Sequence, residues 1–334
     1  GDHRDLHSFP PRRSSDLAFK SHANNLAPGD TNGIGDIFLR DLAAGQTTRV
    51  NVGSAGEQAN GDSDQPSLSA DGRFVAFNSI ASTLTPGDTN NSLDVFVHDR
   101  QTGQTVRASV DQQGLQASTF SLIGNISGDG RHIAFITGAA MVPDDTNGHW
   151  DIYVRDMIDM TTTRASLTDL DTQTNGDSIH AVISDDGRYV VFDSYATNMV
   201  NGDTNNQRDV FVRDRLYGIT TQVSVDSQGN YVNGGSDGMA ISADNRYVLL
   251  NSDASNMVPG DANGKQDVFV HDRAGDRPGD LDADNDVDLH DYHLFAGGFT
   301  GDGGAATVPG ADIDGDGDGD IDDLILFLTG FTGP

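Results

Sequence analysis

Along the body of this chain, apolar residues come in short runs of period two, with no amphipathic stretch of helical length between them. RFVAFNS (73–79) and RYVVFDS (188–194) are examples, and each follows an Asp-Gly pair that reads as a hairpin turn. The marker recurs as Asp71-Gly72-Arg73, Asp129-Gly130-Arg131, Asp186-Gly187-Arg188 and Asp244-Asn245-Arg246. A type I′ turn is expected at each, because Gly and Asn tolerate positive φ. A second marker keeps the same beat: Asp36-Ile37-Phe38, Asp94-Val95-Phe96, Asp151-Ile152-Tyr153, Asp209-Val210-Phe211 and Asp267-Val268-Phe269, at intervals of 58, 57, 58 and 58 residues.

Each unit reads as four short strands. In the second unit they are 66–70, 73–79, 94–100 and 104–110, with the turn QTG before the last. Four antiparallel strands per repeat predict a mainly β fold, a β-propeller whose blades bury their faces against one another. A β-sandwich or an open β-solenoid is the alternative. About five blades are expected over residues 18–273, with both end blades incomplete. The first begins at its second strand (17–21), and the fifth ends after DVFVHDR (267–273) without a fourth. Roughly one to three further blades are expected in a longer parent protein.

The repeats carry one loop that offers chemistry. PGDTNGIGD (28–36), PGDTNNSLD (86–94), PDDTNGHWD (143–151), NGDTNNQRD (201–209) and PGDANGKQD (259–267) place Asp, Asn and Asp at loop positions 1, 3 and 7, as in Asp30, Asn32 and Asp36. Hard oxygen ligands at alternate positions could hold Ca²⁺. The missing third acidic position favours Asx-turns that shape the loop instead. Gly234-Gly235-Ser236-Asp237-Gly238 matches the G-x-S-x-G pattern of a nucleophile elbow. It lacks the strand–serine–helix context that such chemistry needs, and Ser236 falls where Ser63 and Ser178 stand in other units. His98 and His271 replace an Arg found in the other units and read as exposed strand residues. Trp150 reads as packing rather than a sugar platform, and no catalytic triad can be assembled.

Charge changes the picture at the C-terminal end. The chain carries 51 acidic against 20 basic residues, for a net charge of -31, and no cysteine. Such acidity argues against nucleic acid or an anionic membrane surface and suits cations as partners. Disulfides and thiolate metal sites are excluded, and no apolar run reaches the length of a membrane span.

In the last part of the chain the aspartates are phased. Counting Asp280 as position 1, Asp282, Asp284, Asp286, Asp288 and Asp291 fall at 3, 5, 7, 9 and 12. That is the ligand ladder of a twelve-residue EF-hand loop, with Asn285 at the position of positive φ. A second ladder follows 32 residues on, with Asp312, Asp314, Asp316, Asp318, Asp320 and Asp323 at the same positions. GFTG (298–301) likewise returns at 330–333. Position 8 is apolar Val287 in the first loop but Gly319 in the second, so pairing of the loops is weaker there. A short apolar helix candidate follows each loop, and none precedes it.

Three resemblances organise these observations. SADGRFVAF, the PGDTN loop and DVFVHDR-x-TG are similar to the TolB-type, WD40-like repeats of bacterial exported proteins, over residues 18–273. That implies a propeller serving as a binding or scaffold module. One loop plus one helix in duplicate, over residues 279–333, resembles a dockerin type I domain, set off by a linker at 274–278. It implies two Ca²⁺ ions, each held by side chains at positions 1, 3, 5 and 12, the carbonyl at 7 and a water at 9. Folding of residues 279–334 and metal binding would be coupled, because the bare carboxylates repel. It also implies a cohesin-like partner domain. Leu289-His290 and Ile321-Asp322 stand at the partner-choosing positions 10 and 11 and differ from the Ser-Thr pairs of cellulosomal dockerins, which points to another cohesin or a surface anchor. Finally, residues 1–17 resemble a translated sequencing adapter, so an upstream portion with any export signal is expected to be missing.

The expectation from sequence is therefore a secreted, non-enzymatic propeller attached through a calcium-binding dockerin to a cohesin-bearing partner. The alternative is an accessory or remnant of an extracellular hydrolase acting on polysaccharide or peptide, with its catalytic part upstream.

Overall fold

The computed structural model describes residues 16–201, 203 and 205–274. Among these residues there is no helix, and eighteen strands form five antiparallel sheets in chain order. The first sheet holds β1 (Asp16–Ser21), β2 (Asp36–Asp41) and β3 (Gln46–Arg49). The second holds β4 (Ser63–Leu68), β5 (Phe74–Ser79), β6 (Asp94–Asp99) and β7 (Gln104–Arg107). The third holds β8 (Ser121–Ile126), β9 (His132–Thr137), β10 (Asp151–Asp156) and β11 (Thr161–Arg164). The fourth holds β12 (Ser178–Ile183), β13 (Tyr189–Ser194), β14 (Asp209–Asp214) and β15 (Ile219–Gln222). The fifth holds β16 (Ser236–Ile241), β17 (Tyr247–Ser252) and β18 (Asp267–Asp272).

Neighbouring strands in each sheet are consecutive in sequence, so each repeat is one up-and-down blade. The first strands β4, β8, β12 and β16 pack on one another in series, which makes them the inner ends of a radial array. Four cores lie between successive blades. Alternate residues of one strand feed two of them. Phe96 packs backward with Ile37 and Leu39, while its neighbours Val95 and Val97 pack forward with Ile123 and Phe135. A strand buried on both faces must be apolar at successive positions, which explains the continuous DVFV and DIYV runs. Full burial of a side chain such as Phe96 contributes roughly 2–3 kcal/mol.

The Asp-Gly-Arg marker forms a tight hairpin, but not of type I′. Gly72 N–H donates to the Ser69 carbonyl at 2.9 Å, and only Gly72 (φ 73°) is left-handed. This is a type I turn followed by a left-handed residue, the three-to-five-residue hairpin solution. Asp71 accepts from the Arg73 N–H at 2.9 Å and from the Ser69 hydroxyl at 2.7 Å, which fixes the turn without a second residue of positive φ. Arg73 then forks onto Asp99 at the end of β6, at 2.9 and 2.6 Å, and Arg246 does the same to Asp272 in the fifth blade. The arginine of the first marker is thus paired with the aspartate that ends the strand opened by the second marker.

Threonines of the fourth strands tie each blade to the one before. Thr105, Thr162 and Thr220 donate their hydroxyls to the carbonyls of Val52, Val110 and Leu167, at 2.5, 2.7 and 2.7 Å. At the inner end, a Cβ added to Gly124 would collide with the Ala181 backbone, so glycine sets the closest approach of β8 to β12. The fifth blade differs from the rest. β18 repeats the β6 hexapeptide DVFVHD, yet Val268 and Val270 are 65% and 62% exposed, where Val95 and Val97 are 0% and 3%.

Candidate functional site

Asp280, Asp282, Asp284, Asp286, Asp288 and Asp291, with Asp312, Asp314, Asp316, Asp318, Asp320 and Asp323, lie outside the described residues. The Asp-Thr-Asn loops are described except for residues 202 and 204, and their asparagines build turns. The side-chain oxygens of Asn90 and Asn147 accept from Ser92 and His149 N–H at 3.0 and 2.9 Å. Their amide nitrogens donate to Asp94 and Asp151, both at 3.0 Å. An asparagine that points its NH₂ at the carboxylate is not poised as a fellow metal ligand.

The cation between the two loop aspartates is a guanidinium. Arg107, from the end of β7, lies 3.9 Å from Asp88 and 3.4 Å from Asp94. Arg49 is likewise 3.6 and 3.8 Å from Asp30 and Asp36, and Arg164 is 3.4 and 3.9 Å from Asp145 and Asp151. Burial pushes Asp94 and Asp151 above the ordinary carboxylate range, offset by the hydroxyls of Ser109 and Ser166 and by the arginines. The fourth blade breaks the pattern, because Gln222 stands at the arginine position, its Oε1 buried without a hydrogen-bond partner. Burial, which the Ser224 and Asn205 side chains only partly offset, leaves Asp209 pushed up to about 6.

Among the described residues, His180, Asp193 and Asp237 form a group whose ligand-type atoms lie within 4.8 Å of one another, at the inner ends of the fourth and fifth blades. A bulge in β12 positions the histidine: His180 has φ 50°, and the register to β13 shifts between Ile179 and Val182. Its Nδ1 lies 2.7 Å from Asp193 Oδ2. The other Asp193 oxygen accepts the Gly238 N–H at 2.8 Å, across the blade boundary. Arg208 pairs with Asp237 and approaches Asp193 to 3.8 Å, and Gln266 donates to Asp237 at 3.1 Å.

The second blade shows the uncharged form of this arrangement. Gln65 has φ 48° at the equivalent bulge, Asn78 donates to it at 2.6 Å, and Asn78 accepts the Ile123 N–H at 2.8 Å. The fourth blade replaces that neutral clasp with a histidine and a carboxylate. Burial pushes Asp193 up, and the bond to Asp193 pushes His180 up, so the pair holds a proton more firmly than either free side chain. One nitrogen and two oxygens would suit a cation of intermediate softness, but Arg208 already pairs with both carboxylates. The cluster is a closed ion network with a half-exposed imidazole at its surface.

Three other sequence expectations meet the structure here. Ser236 opens β16, is fully buried, and donates to the Ser252 hydroxyl at 2.9 Å, as Ser63 and Ser178 do to Ser79 and Ser194. It holds two strands together. His98 is not an exposed strand residue: it is 6% exposed, with Nδ1 2.9 Å from the Thr105 hydroxyl. The face on which it lies packs against the preceding blade, and burial pushes its pKa down. Trp150 packs at a tilt on Phe120, with ring centroids 4.5 Å apart.

No family model and no curated protein matches the chain. Among solved structures, the chain is similar to TolB from Acinetobacter baumannii at 19% identity, covering 74% of this chain and 50% of that one, with a TM-score of 0.40. It thus spans half the length of that protein. It is also similar to the β-propeller domain of the trilobed protease from Pyrococcus furiosus, at 11% identity, 77% and 66% coverage and a TM-score of 0.43. The blade geometry, not these likenesses, is what makes the chain a propeller. Among the described residues, no helix is long and apolar enough to cross a membrane.

Proposed function

We propose that the chain is a secreted, non-catalytic binding module, in which the propeller is a scaffold and a C-terminal calcium-binding dockerin attaches it to a cohesin-bearing partner. The observation that carries this reading is the duplicated aspartate ladder, Asp280 to Asp291 and Asp312 to Asp323, at one 32-residue spacing. The described blades support it. Ser236, whose G-x-S-x-G setting matches a nucleophile elbow, is engaged with Ser252 in joining two strands, and His98 and His180 are engaged with Thr105 and Asp193.

Calorimetric titration of the full chain with Ca²⁺ tests the metal half of this reading. Two sites and a gain of helical circular dichroism are expected, and absence of both ends the reading. Capture by a panel of immobilised cohesins, with and without chelator, tests the partner. Calcium-dependent retention on at least one cohesin is expected.

A further inference from the structure

Between the second and third blades lies a cavity of about 350 Å³ whose walls include Phe74, Val97, Val106, Gly130, Met157 and Ile158. Val106 and Ile158 are exposed apolar side chains. What such a cavity takes can be read from the other blade boundaries, because the same repeat positions meet at each.

At the repeat position of Met157 the other three boundaries carry Arg100, Arg215 and Arg273. Each guanidinium donates to the carbonyl of the central residue in its own blade's hairpin turn, Gly72, Gly187 and Asn245 in that order. Arg100 and Arg273 also reach the preceding blade. Arg100 pairs with Asp16 at 3.0 Å, and Arg273 lies 4.4 Å from the centre of the Tyr189 ring. Tyr189 thereby takes two guanidinium groups, since Arg188 lies 4.8 Å from the same ring.

The second and third blades keep the ring and the carbonyl but not this arginine. Phe74 stands at the Tyr189 position, with Arg73 over it at 4.6 Å as Arg188 is over Tyr189. A Cβ on Gly130 would collide with the Phe74 ring, so the ring lies against the turn whose carbonyl the other blades bond. Met157 replaces the arginine, and a thioether has no donor for that carbonyl. Between the first and second blades, the cavity at the same place is walled by Asp71, Gly72, Arg73, Arg100 and Gln101. Met157 and Ile158 make apolar what Arg100 and Gln101 make polar. Carboxylates remain around it: Asp99 and Asp129 line the cavity, and Asp156 and Asp159 pair with Arg131 at 2.7 and 2.6 Å. These four outnumber the guanidinium groups among them, Arg73 and Arg131.

We infer that this cavity receives one arginine side chain of a partner polypeptide. The guanidinium lies over Phe74 and donates to the Gly130 carbonyl, as Arg273 lies over Tyr189 and donates to Asn245. The aliphatic stem covers Val106, Met157 and Ile158 while the charged head stays among polar groups. A planar cation on an aromatic face beside carboxylates favours guanidinium over ammonium, and the surplus of acidic groups favours a cation over a neutral side chain. This inference deepens the proposed binding role of the propeller and uses no residue of the aspartate ladders. A test in chelator therefore fails or succeeds separately from the calcium reading.

The test is calorimetric titration of the full chain, in chelator, with the capped peptide acetyl-Gly-Arg-Gly-amide. Saturable one-to-one binding is expected. The citrulline counterpart has the same shape without the charge and should bind about tenfold more weakly, the effect of losing a charge-assisted hydrogen bond. Met157→Arg gives this boundary the residue of the other three, so its own guanidinium should fill the place and abolish binding. Met157→Leu keeps the apolar wall and should bind as before. The inference is overturned by no saturable binding at millimolar peptide, by equal binding of the citrulline peptide, or by undiminished binding to Met157→Arg. Free arginine binding more tightly than the capped peptide would assign the cavity to a small molecule, and also overturns it. The peptide pair leaves the protein unchanged, so it decides the matter even where a protein variant misfolds.

Discussion

Arg107 reaches back from the end of β7 to within 3.4 Å of the Asp94 carboxylate, which has no exposed surface. Truncating the arginine leaves two buried carboxylates, Asp88 and Asp94, facing each other without a cation. Arg107→Leu should therefore cost about 3 kcal/mol at neutral pH, the usual cost of removing one partner of a buried pair. Urea denaturation should show the deficit shrinking at acidic pH, as Asp94 takes up a proton.

The fourth blade allows the reverse experiment. Asp209 has its folded pKa raised to about 6 from an ordinary 3.8. A carboxyl raised in the fold binds its proton more tightly there, so its contribution is full below 3.8 and is lost as pH rises through about 6. Gln222→Arg with Tyr231→Gln rebuilds the Arg107–Gln116 pair of the second blade. The double variant should gain roughly 1 kcal/mol near pH 7.5 and little near pH 4. Paired thermal melts at the two pH values check this.

His98 titrates with the opposite sign. Burial lowers its folded pKa below the ordinary 6.5, so the unfolded chain binds the proton first. Stability from this group is full above that value and falls as pH drops below it. His98→Gln should flatten the loss of stability between about pH 7 and pH 5, the window in which an ordinary imidazole charges. A series of urea midpoints reads the slope.

Gly124→Ala should destabilise by roughly 2 kcal/mol or more, because a Cβ there meets the Ala181 backbone rather than a movable side chain. Alanine at Gly114, where nothing stands in the way but φ is 78°, should cost less, through backbone strain alone. Chemical denaturation of the two variants separates close packing from turn geometry.

On the proposed calcium reading, Asp280→Ala and Asp312→Ala should each remove one calcium equivalent, and the double variant both, because each would delete a position-1 ligand. Calorimetric stoichiometry on the full chain checks this. Propeller melting in the absence of Ca²⁺ should not change.

The architecture was legible because its cause is periodic. The Asp-Gly-Arg and Asp-Val-Phe markers recur every 57 or 58 residues, since each Arg forks onto the Asp two positions after its DVFV run, as Arg73 does to Asp99. The turn type was misjudged because Asp71 fixes the hairpin by its side chain, which propensity for positive φ does not register. The cation of the Asp-Thr-Asn loop was also present in sequence: Arg49, Arg107 and Arg164 recur at 58 and 57 residues, but at the far end of a different strand. His180, Asp193 and Asp237 left no such trace. They come from three strands of two repeats, and their equivalents two repeats earlier, Gln65, Asn78 and Leu122, carry no charge. His98 was misplaced because alternation tells which residues share a face, not that both faces of the strand are covered.

In the first three blades the guanidinium that neutralises the loop carboxylates belongs to the same repeat as those carboxylates. Such a unit is self-sufficient in its loop charges. A gene segment encoding one of these blades can be copied, lost or moved without stranding a loop carboxylate, whereas the Arg208–Asp237 pair couples the fourth blade to the fifth. The blade with Gln222 departs from the shared loop pattern and still keeps its four strands.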